Sequence, residues 1–508
     1  MDKADYNTIV IITLVIFFGL SLLVGIIPSR KASKGFLSFM IADKALPWWA
    51  IGGTLVATYV GAPTLLGFLG SGAKIGLTSM WLSVAHCGSF MMLALFFVPI
   101  LIRMKRVTLG EPLGERYGMD VRQISSGLSF FRMVGSIATN TLGIGLVIST
   151  FTTLNLAEGV ILGSIVLIIY VAAGGMYGVA YADTFQGIII LCFLIIAPVW
   201  LLTHIGDGSM VSGFGKVLAS IPRENLTVTN EDPNRIAGWM VVMLMGNLLR
   251  PELFGRIYAA RNPKEGILTW VVATDIAVFI MIIVCVLGLT ARYVVPDFTG
   301  SADQWGPAMF LAIAPIWLTV FYVLSLMAAA TSTATTSMLG SASFYVTDFH
   351  IPIFYKNSQP SRTKVVWLSR AAVVFFTGLA LWWALAWRDL ISILSFSYTV
   401  LVAGILVPYI GMFFWPRMTS SAARWAAILG GGTSIVWRFV LQDFKLIPIP
   451  WIARLDPSIP ALLLSFAAAI VITYLNEPEY EKVYKFAKDY DLKKLLLWAE
   501  TGLAGKKA

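Results

Sequence analysis

The sequence predicts an all-α polytopic membrane protein of about 13 transmembrane helices, on three observations. Of 508 residues, 58% are hydrophobic and 13% charged, with a mean hydropathy of +0.80, a composition unlike that of soluble domains. Apolar runs longer than the ~20 residues that cross a bilayer recur along the chain. Basic residues gather in alternate loops, which is how membrane orientation is set rather than how nucleic acid is bound.

The spans fall at 8–27, 47–70, 77–102, 121–151, 158–177, 184–204, 236–256, 267–290, 308–347, 364–387, 390–415, 422–441 and 458–476. The first follows an acidic start, Asp2 and Asp5, without a basic leader region, so it reads as a retained helix rather than a signal peptide. The second is the element around which the rest is organised. Leu46 to Gly76 is apolar but carries Gly52, Gly53, Gly61, Pro63, Gly67, Gly70, Gly72 and Gly76. Glycine and proline weaken a helix, and in lipid the freed backbone groups need partners inside the protein. Tyr59 to Thr64 therefore reads as an unwound segment near mid-span, of the kind that marks a transporter binding site. A kinked helix with glycines for close packing is the plainer alternative.

The third span carries His86, and an ionisable group in mid-membrane is a functional candidate by default. A neutral histidine bonded to a neighbouring helix is the bland alternative. Arg132 in span four, Asp275 in span eight and Arg370 in span ten raise the same question, and the sequence does not say whether Arg132 and Asp275 meet. The loop Gly206 to Arg235 holds Asn225-Leu226-Thr227, a glycosylation pattern. Span seven is interrupted like span two, with Gly246 and Asn247 inside it and Pro251 near its end. Within span nine, Ser325 to Ser343 is dense in small residues and hydroxyls, suited to close packing or to ligating a hard cation. It is long enough to bend or continue past the membrane. In the tail, Asp489 to Ala499 reads as a short amphipathic helix at the membrane surface, with Leu492, Leu495, Leu496 and Trp498 on its apolar side, or as a solvated tail. The three cysteines, Cys87, Cys192 and Cys285, are too scattered for a metal site or disulfide framework.

Of 37 Lys and Arg, 25 fall on one side and 10 on the other, counting Arg250 and Arg256 among the loop cations. This predicts an outside N-terminus and a cytoplasmic C-terminus in the plasma membrane. Two interrupted spans five apart fit inverted five-helix repeats, spans 2–6 and 7–11. The organisation expected is a transmembrane domain over 1–476, with core repeats at about 47–204 and 236–415, and a cytoplasmic tail over 477–508.

Six stretches then carry a family resemblance: ADKALPWWAIGGTLVAT, TLGEPLGERYG, GGMYGVAYADTFQG, RPELFGRIYAARN, AAATSTATTS and DPSIPALLLS. In order and spacing, from about Asp43 to Asn476, they resemble the sodium/solute symporter family of sodium-coupled sugar, proline and pantothenate carriers. The resemblance implies a leucine-transporter-like core with one added span before it and two after. It implies a sodium ion held by the carbonyls of Ala57, Val60 and Ala329 and the hydroxyls of Ser332 and Thr333. Sodium is a hard ion, and such neutral oxygens suit it. Asp183 matches an aspartate that holds a second sodium in some members, with Thr335 and Thr336 supplying hydroxyls; capping span six is its structural alternative. Substrate contacts are implied at Tyr59, Gly61, Pro63, Thr64, Ser83, His86, Asn247, Ser395 and Tyr398. Pro63 departs from the polar side chain of sugar carriers, and Tyr59 stands where proline carriers have a carboxylate.

The expected function is sodium-coupled symport of a small organic solute (an amino acid, vitamin or carboxylate) by alternating access. The partners expected are that solute and membrane lipid, with no nucleic acid. The leaning is to a zwitterion or carboxylate, because His86 and Arg132 are at hand. A proton-coupled or uncoupled carrier using His86, Asp183 or Asp275 is the rival within transport, and a membrane-embedded sensor the rival outside it. No nucleophile, metal cluster or acid–base pair points to an enzyme, and no filter or charge ring points to a channel.

Overall fold

The computed structural model describes residues 3–27, 42, 46–104, 106–260, 262–355, 361–442, 446–447, 450–453 and 455–507. Among these the ordered elements are all helices. Among the described residues, nine helical stretches are long and apolar enough to cross a membrane. Two of them, Pro63–Met104 and Leu156–Ile205, each run through parts of two sequence-read spans. Spans seven and twelve are assembled from shorter pieces.

In chain order the main helices are α1 (Lys3–Ile26), α2 (Trp48–Tyr59), α3 (Leu69–Ile75), α4 (Met80–Met92), α5 (Gly110–Tyr117), α6 (Met119–Phe151) and α7 (Leu156–Ile205). There follow α8 (Met210–Ser220), α9 (Pro233–Trp239), α10 (Pro251–Ala259), α11 (Pro263–Val294), α12 (Trp305–Ile313) and α13 (Ile316–Phe344). The last are α14 (Arg362–Trp387), α15 (Leu390–Phe414), α16 (Ser420–Val436), α17 (Ser458–Leu475), α18 (Tyr480–Asp489) and α19 (Lys493–Lys507).

Side-chain caps start many of these helices. Asn155 and Glu158 form a reciprocal capping box on α7, and Asn262, Ser361, Asp389 and Thr419 each accept a backbone N–H three residues on. Gly175 divides α7 into its two spans, with φ 53° and ψ −156°, a conformation that glycine tolerates and a β-carbon would strain. Pro251 divides span seven: it pushes Arg250 out of helical geometry, to φ −56° and ψ 105°.

The hydroxyl-rich helix α13 lies at the centre, against α6, α7 and α2. The broken second span packs between α7 and α11, while α16 and α17 form a pair beside α15. Large apolar side chains such as Trp49, Ile165, Phe279 and Trp382 stay exposed on the outside, where lipid covers them.

Span nine both breaks and continues: the chain breaks at Ala314 and Pro315, and α13 then runs on through a widened turn to Phe354. Two expectations change. Asn225 is no glycan acceptor on the surface; it is buried and its amide donates to the Lys74 carbonyl at 3.1 Å. The tail forms two helices, joined where Asp491 takes φ 53°. Val483, Phe486 and Ala487 are buried, and α18 packs on α5.

Candidate functional site

The end of α2 leaves carbonyls that its own helix does not use. Val60 N–H bonds the Val56 carbonyl, and Thr64 and Leu65 N–H restart the helix from the Gly61 carbonyl. Between them, Ala57 O accepts from Ser332 Oγ at 2.9 Å, and Thr58 O accepts from Thr333 Oγ1 at 3.3 Å. Ser332 Oγ also lies 3.1 Å from Ala329 O. Asn140 Oδ1 accepts the free Ala62 N–H at 3.0 Å. Three of the five residues implied for sodium, Ala57, Ala329 and Ser332, thus meet directly; Thr333 turns its hydroxyl to Thr58 instead, and Val60 ends the helix in an extended conformation, φ −97° and ψ 91°.

One turn along α13 lies a second polar cluster. Asp183 Oδ2 accepts from Thr54 Oγ1 at 2.5 Å and from Arg256 Nη2 at 2.9 Å. The same Nη2 reaches Thr336 Oγ1 at 2.5 Å, Thr58 Oγ1 at 2.7 Å and Thr54 Oγ1 at 2.7 Å. Arg256 is 1% exposed and Asp183 fully buried. Asp183 and Thr336 therefore surround a cation that belongs to the chain. Thr335 turns aside: its hydroxyl donates to the Thr331 carbonyl at 2.9 Å and accepts from Tyr170 at 3.2 Å. Thr336 donates to the Ser332 carbonyl at 2.8 Å, so the two clusters share a strand of hydrogen bonds.

On the other side of the break a cavity of about 30 Å³ is lined by Tyr59, Gly61, Pro63, Thr64, His86 and Tyr398. Asn247 stands just behind it. Its Oδ1 accepts from the Tyr398 hydroxyl at 2.8 Å, and its Nδ2 faces the Met243 carbonyl at 2.8 Å and His86 Nδ1 at 3.0 Å. With both amide hydrogens spent this way, Nδ1 of His86 is the acceptor and Nε2 carries the proton. Gly246 permits the arrangement, since a β-carbon there would come 2.5 Å from the Tyr398 ring. Ser83 and Ser395 are half-buried and lie off the cavity's lining.

The cavity also has cationic walls, Arg132 and Arg250. Arg250 Nε bonds Glu252 Oε1 at 2.7 Å, and Arg132 Nη2 approaches the same oxygen at 3.4 Å. Arg250 Nη2 reaches the Thr58 carbonyl at 3.2 Å. The Arg132 guanidinium lies 3.8 Å over the Tyr398 ring, a cation–π contact. Counting Arg250 and Arg256 as loop cations was mistaken, since both are buried at the centre. The signal for it was Pro251, which bends this end of span seven inward. Arg132 meets Glu252, not Asp275, which lies on the exposed face of α11. Arg370 donates to the Ala172 carbonyl at 2.8 Å, outside this cluster.

A profile of the sodium:solute symporter family matches residues 39–430. The sodium/pantothenate symporter of Escherichia coli is 24% identical over 90% of this chain and 94% of its own. The sodium/proline symporter of Haemophilus influenzae is 25% identical over 64% of this chain and 67% of its own. The sodium/glucose cotransporter of Vibrio parahaemolyticus is 24% identical over 89% and 87%. Among solved structures, a substrate-bound, outward-open Na+-coupled sialic acid symporter superposes with a TM-score of 0.77 at 16% identity. It covers 92% of this chain and 98% of its own, which establishes the fold. The pair of broken spans, the shared fold and the profile match agree: this chain is a multi-pass transporter, not an enzyme, and belongs to the sodium:solute symporter family.

Proposed function

We propose that the chain couples inward movement of one sodium ion to uptake of a small organic solute (an amino acid, vitamin or carboxylate) across the plasma membrane. The N-terminus lies outside and the tail helices in the cytoplasm, following the loop charges. The observation that carries the reading is Ser332 Oγ within 3.1 Å of both the Ala57 and Ala329 carbonyls, with Thr333 beside it. These are neutral oxygens at a helix break, the donor set a hard monovalent cation takes from a protein. Sodium at Ala57, Val60, Ala329, Ser332 and Thr333 braces the broken second span against α13. That ordering shapes the adjoining cavity and couples ion to solute. Rocking of one bundle against the other then opens the site inward. Arg256 takes the role of a second cation at Asp183 and Thr336.

Thermal denaturation of the purified protein in sodium, potassium and choline tests this. A ligand that binds only the folded form stabilises it, by about 2.7 kcal/mol at a hundredfold excess over its dissociation constant. The expected result is a sodium-specific rise that Ser332→Ala and Thr333→Ala abolish. Stability that ignores sodium and tracks pH through His86 or Asp183 would point to proton coupling instead.

A further inference from the structure

The cavity beside the break has buried N–H donors left over; of the unpaired oxygens near them, Glu252 Oε2 belongs to a residue outside its lining and the Tyr59 hydroxyl carries no charge. His86 Nε2 and Arg132 Nε and Nη1 are buried and have no hydrogen-bond partner among the described residues. With His86 Nδ1 turned to Asn247, all three of these atoms are N–H donors. Leaving a buried donor unpaired costs free energy, and leaving a buried cation without an anion costs more. Charge gives the same answer independently. Arg132 and Arg250 face one carboxylate, Glu252, whose Oε1 serves both. No Asp or Glu among the described residues lines the cavity itself. The centre therefore carries one uncompensated positive charge, in a place where water does little to screen it.

We propose that the solute is a short-chain monocarboxylate without an ammonium group, its carboxylate held by Arg132 and the Nε2–H of His86. This deepens the sodium-symport reading and rests on it. The carboxylate is an acceptor-only group that satisfies the spare donors and cancels the spare charge. Its tail lies against Tyr59, Pro63 and Phe68. An amino-acid zwitterion fits less well, because its ammonium would share the cavity with two guanidiniums and find no carboxylate. A sugar would leave the charge uncancelled. The small cavity favours a solute of few heavy atoms.

The test is thermal stability of the purified full-length protein with acetate, propionate, pyruvate or lactate, each in sodium and in choline. Propionamide, proline and glucose serve as uncharged or zwitterionic controls. At least one monocarboxylate is expected to stabilise the protein while propionamide does not. Arg132→Gln is expected to weaken that effect by about 10–100-fold in apparent affinity. Glu252 keeps Arg250 at 2.7 Å in this variant, so no carboxylate is orphaned. His86→Gln, which keeps an N–H donor, is expected to bind more tightly than His86→Leu. A carboxylate effect that Arg132→Gln removes supports the proposal in either salt. No effect from any monocarboxylate, an effect intact in Arg132→Gln, or a larger effect from proline or glucose overturns it. The sodium increment without solute is read separately, so a carboxylate effect without a sodium effect would refute the coupling and not the anion site.

Discussion

Replacing Arg256 by alanine removes the cation that Asp183 and Thr336 surround. The side chain is 1% exposed and makes a 2.9 Å ion pair, three threonine contacts through the same nitrogen, and a bond from Nη1 to the Glu252 carbonyl at 3.1 Å. Removing one partner of such a buried pair costs about 3–5 kcal/mol, most of it the penalty of the charge left behind. The orphaned set is then one carboxylate with the hydroxyls of Thr54, Thr58 and Thr336, all oxygen and net negative. Sodium can fill it. Arg256→Ala is thus expected to be much less stable than wild type in choline and to recover part of the loss in sodium, beyond the wild-type sodium increment. At a hundredfold excess over its dissociation constant, the second ion returns about 2.7 kcal/mol. Adding Asp183→Asn removes the orphaned charge, so the double variant is expected to be more stable than the single one in choline and to lose the extra sodium response. Thermal denaturation of the three proteins in the two salts measures every term. If Arg256→Ala gains no more from sodium than wild type does, or the double variant is no better than the single, Arg256 is not acting as that site's cation and the reasoning fails.

Three further outcomes are expected. Asn140→Leu orphans the Ala62 N–H at the helix break and should cost about 1–3 kcal/mol, read by thermal denaturation. Burial, aided by the nearby Asp389 charge, pushes the carboxyl of Asp303, outside the spans, up from 3.8 to about 7. The folded state then holds a proton that the unfolded state has lost, so stability falls as pH rises from about 4 to about 7, by roughly 4 kcal/mol at most. Asp303→Asn should flatten that slope and be the more stable protein at pH 8; an unchanged slope would assign the pH dependence elsewhere. Tyr490 donates to Glu115 and accepts from Arg106 Nη2 at 2.8 Å, joining the tail to the chain next to α5. Tyr490→Phe should loosen the tail by about 1 kcal/mol and speed its cleavage in limited proteolysis, leaving the sodium increment unchanged.

The architecture was legible because membrane spans announce themselves by length and apolarity. The second span's break was legible because Gly61 and Pro63 sit where a helix in lipid has no other reason to carry them. Ser332 and Thr333 could be placed near the break through the resemblance; in the structure Ser332 bonds the Ala57 carbonyl and Thr333 the Thr58 carbonyl. What could not be read was the fate of individual charges. Arg250 and Arg256 follow a span and precede Arg261 and Lys264, so by position they look like solvated loop cations. Only the bend at Pro251 returns them to the centre, and a bend's direction depends on what it packs against. Glu252 was missed for the same reason. Asp275 shows the converse: buried by position, it faces outward, because rotation about a helix axis is fixed by neighbours that sequence distance does not rank.

In the proposed cycle of one sodium and one monocarboxylate, Arg256 also sets the electrical character. A guanidinium fixed to the chain stays with the protein on every turnover, whereas a sodium ion in its place would cross with the solute. With one sodium and one monoanion crossing together, no net charge moves. Such a carrier takes nothing from the membrane potential, which would add about 2.3 kcal/mol per 100 mV for each further mobile charge. Its limiting accumulation then follows the sodium concentration ratio alone, and collapsing the voltage while holding that ratio leaves uptake unchanged.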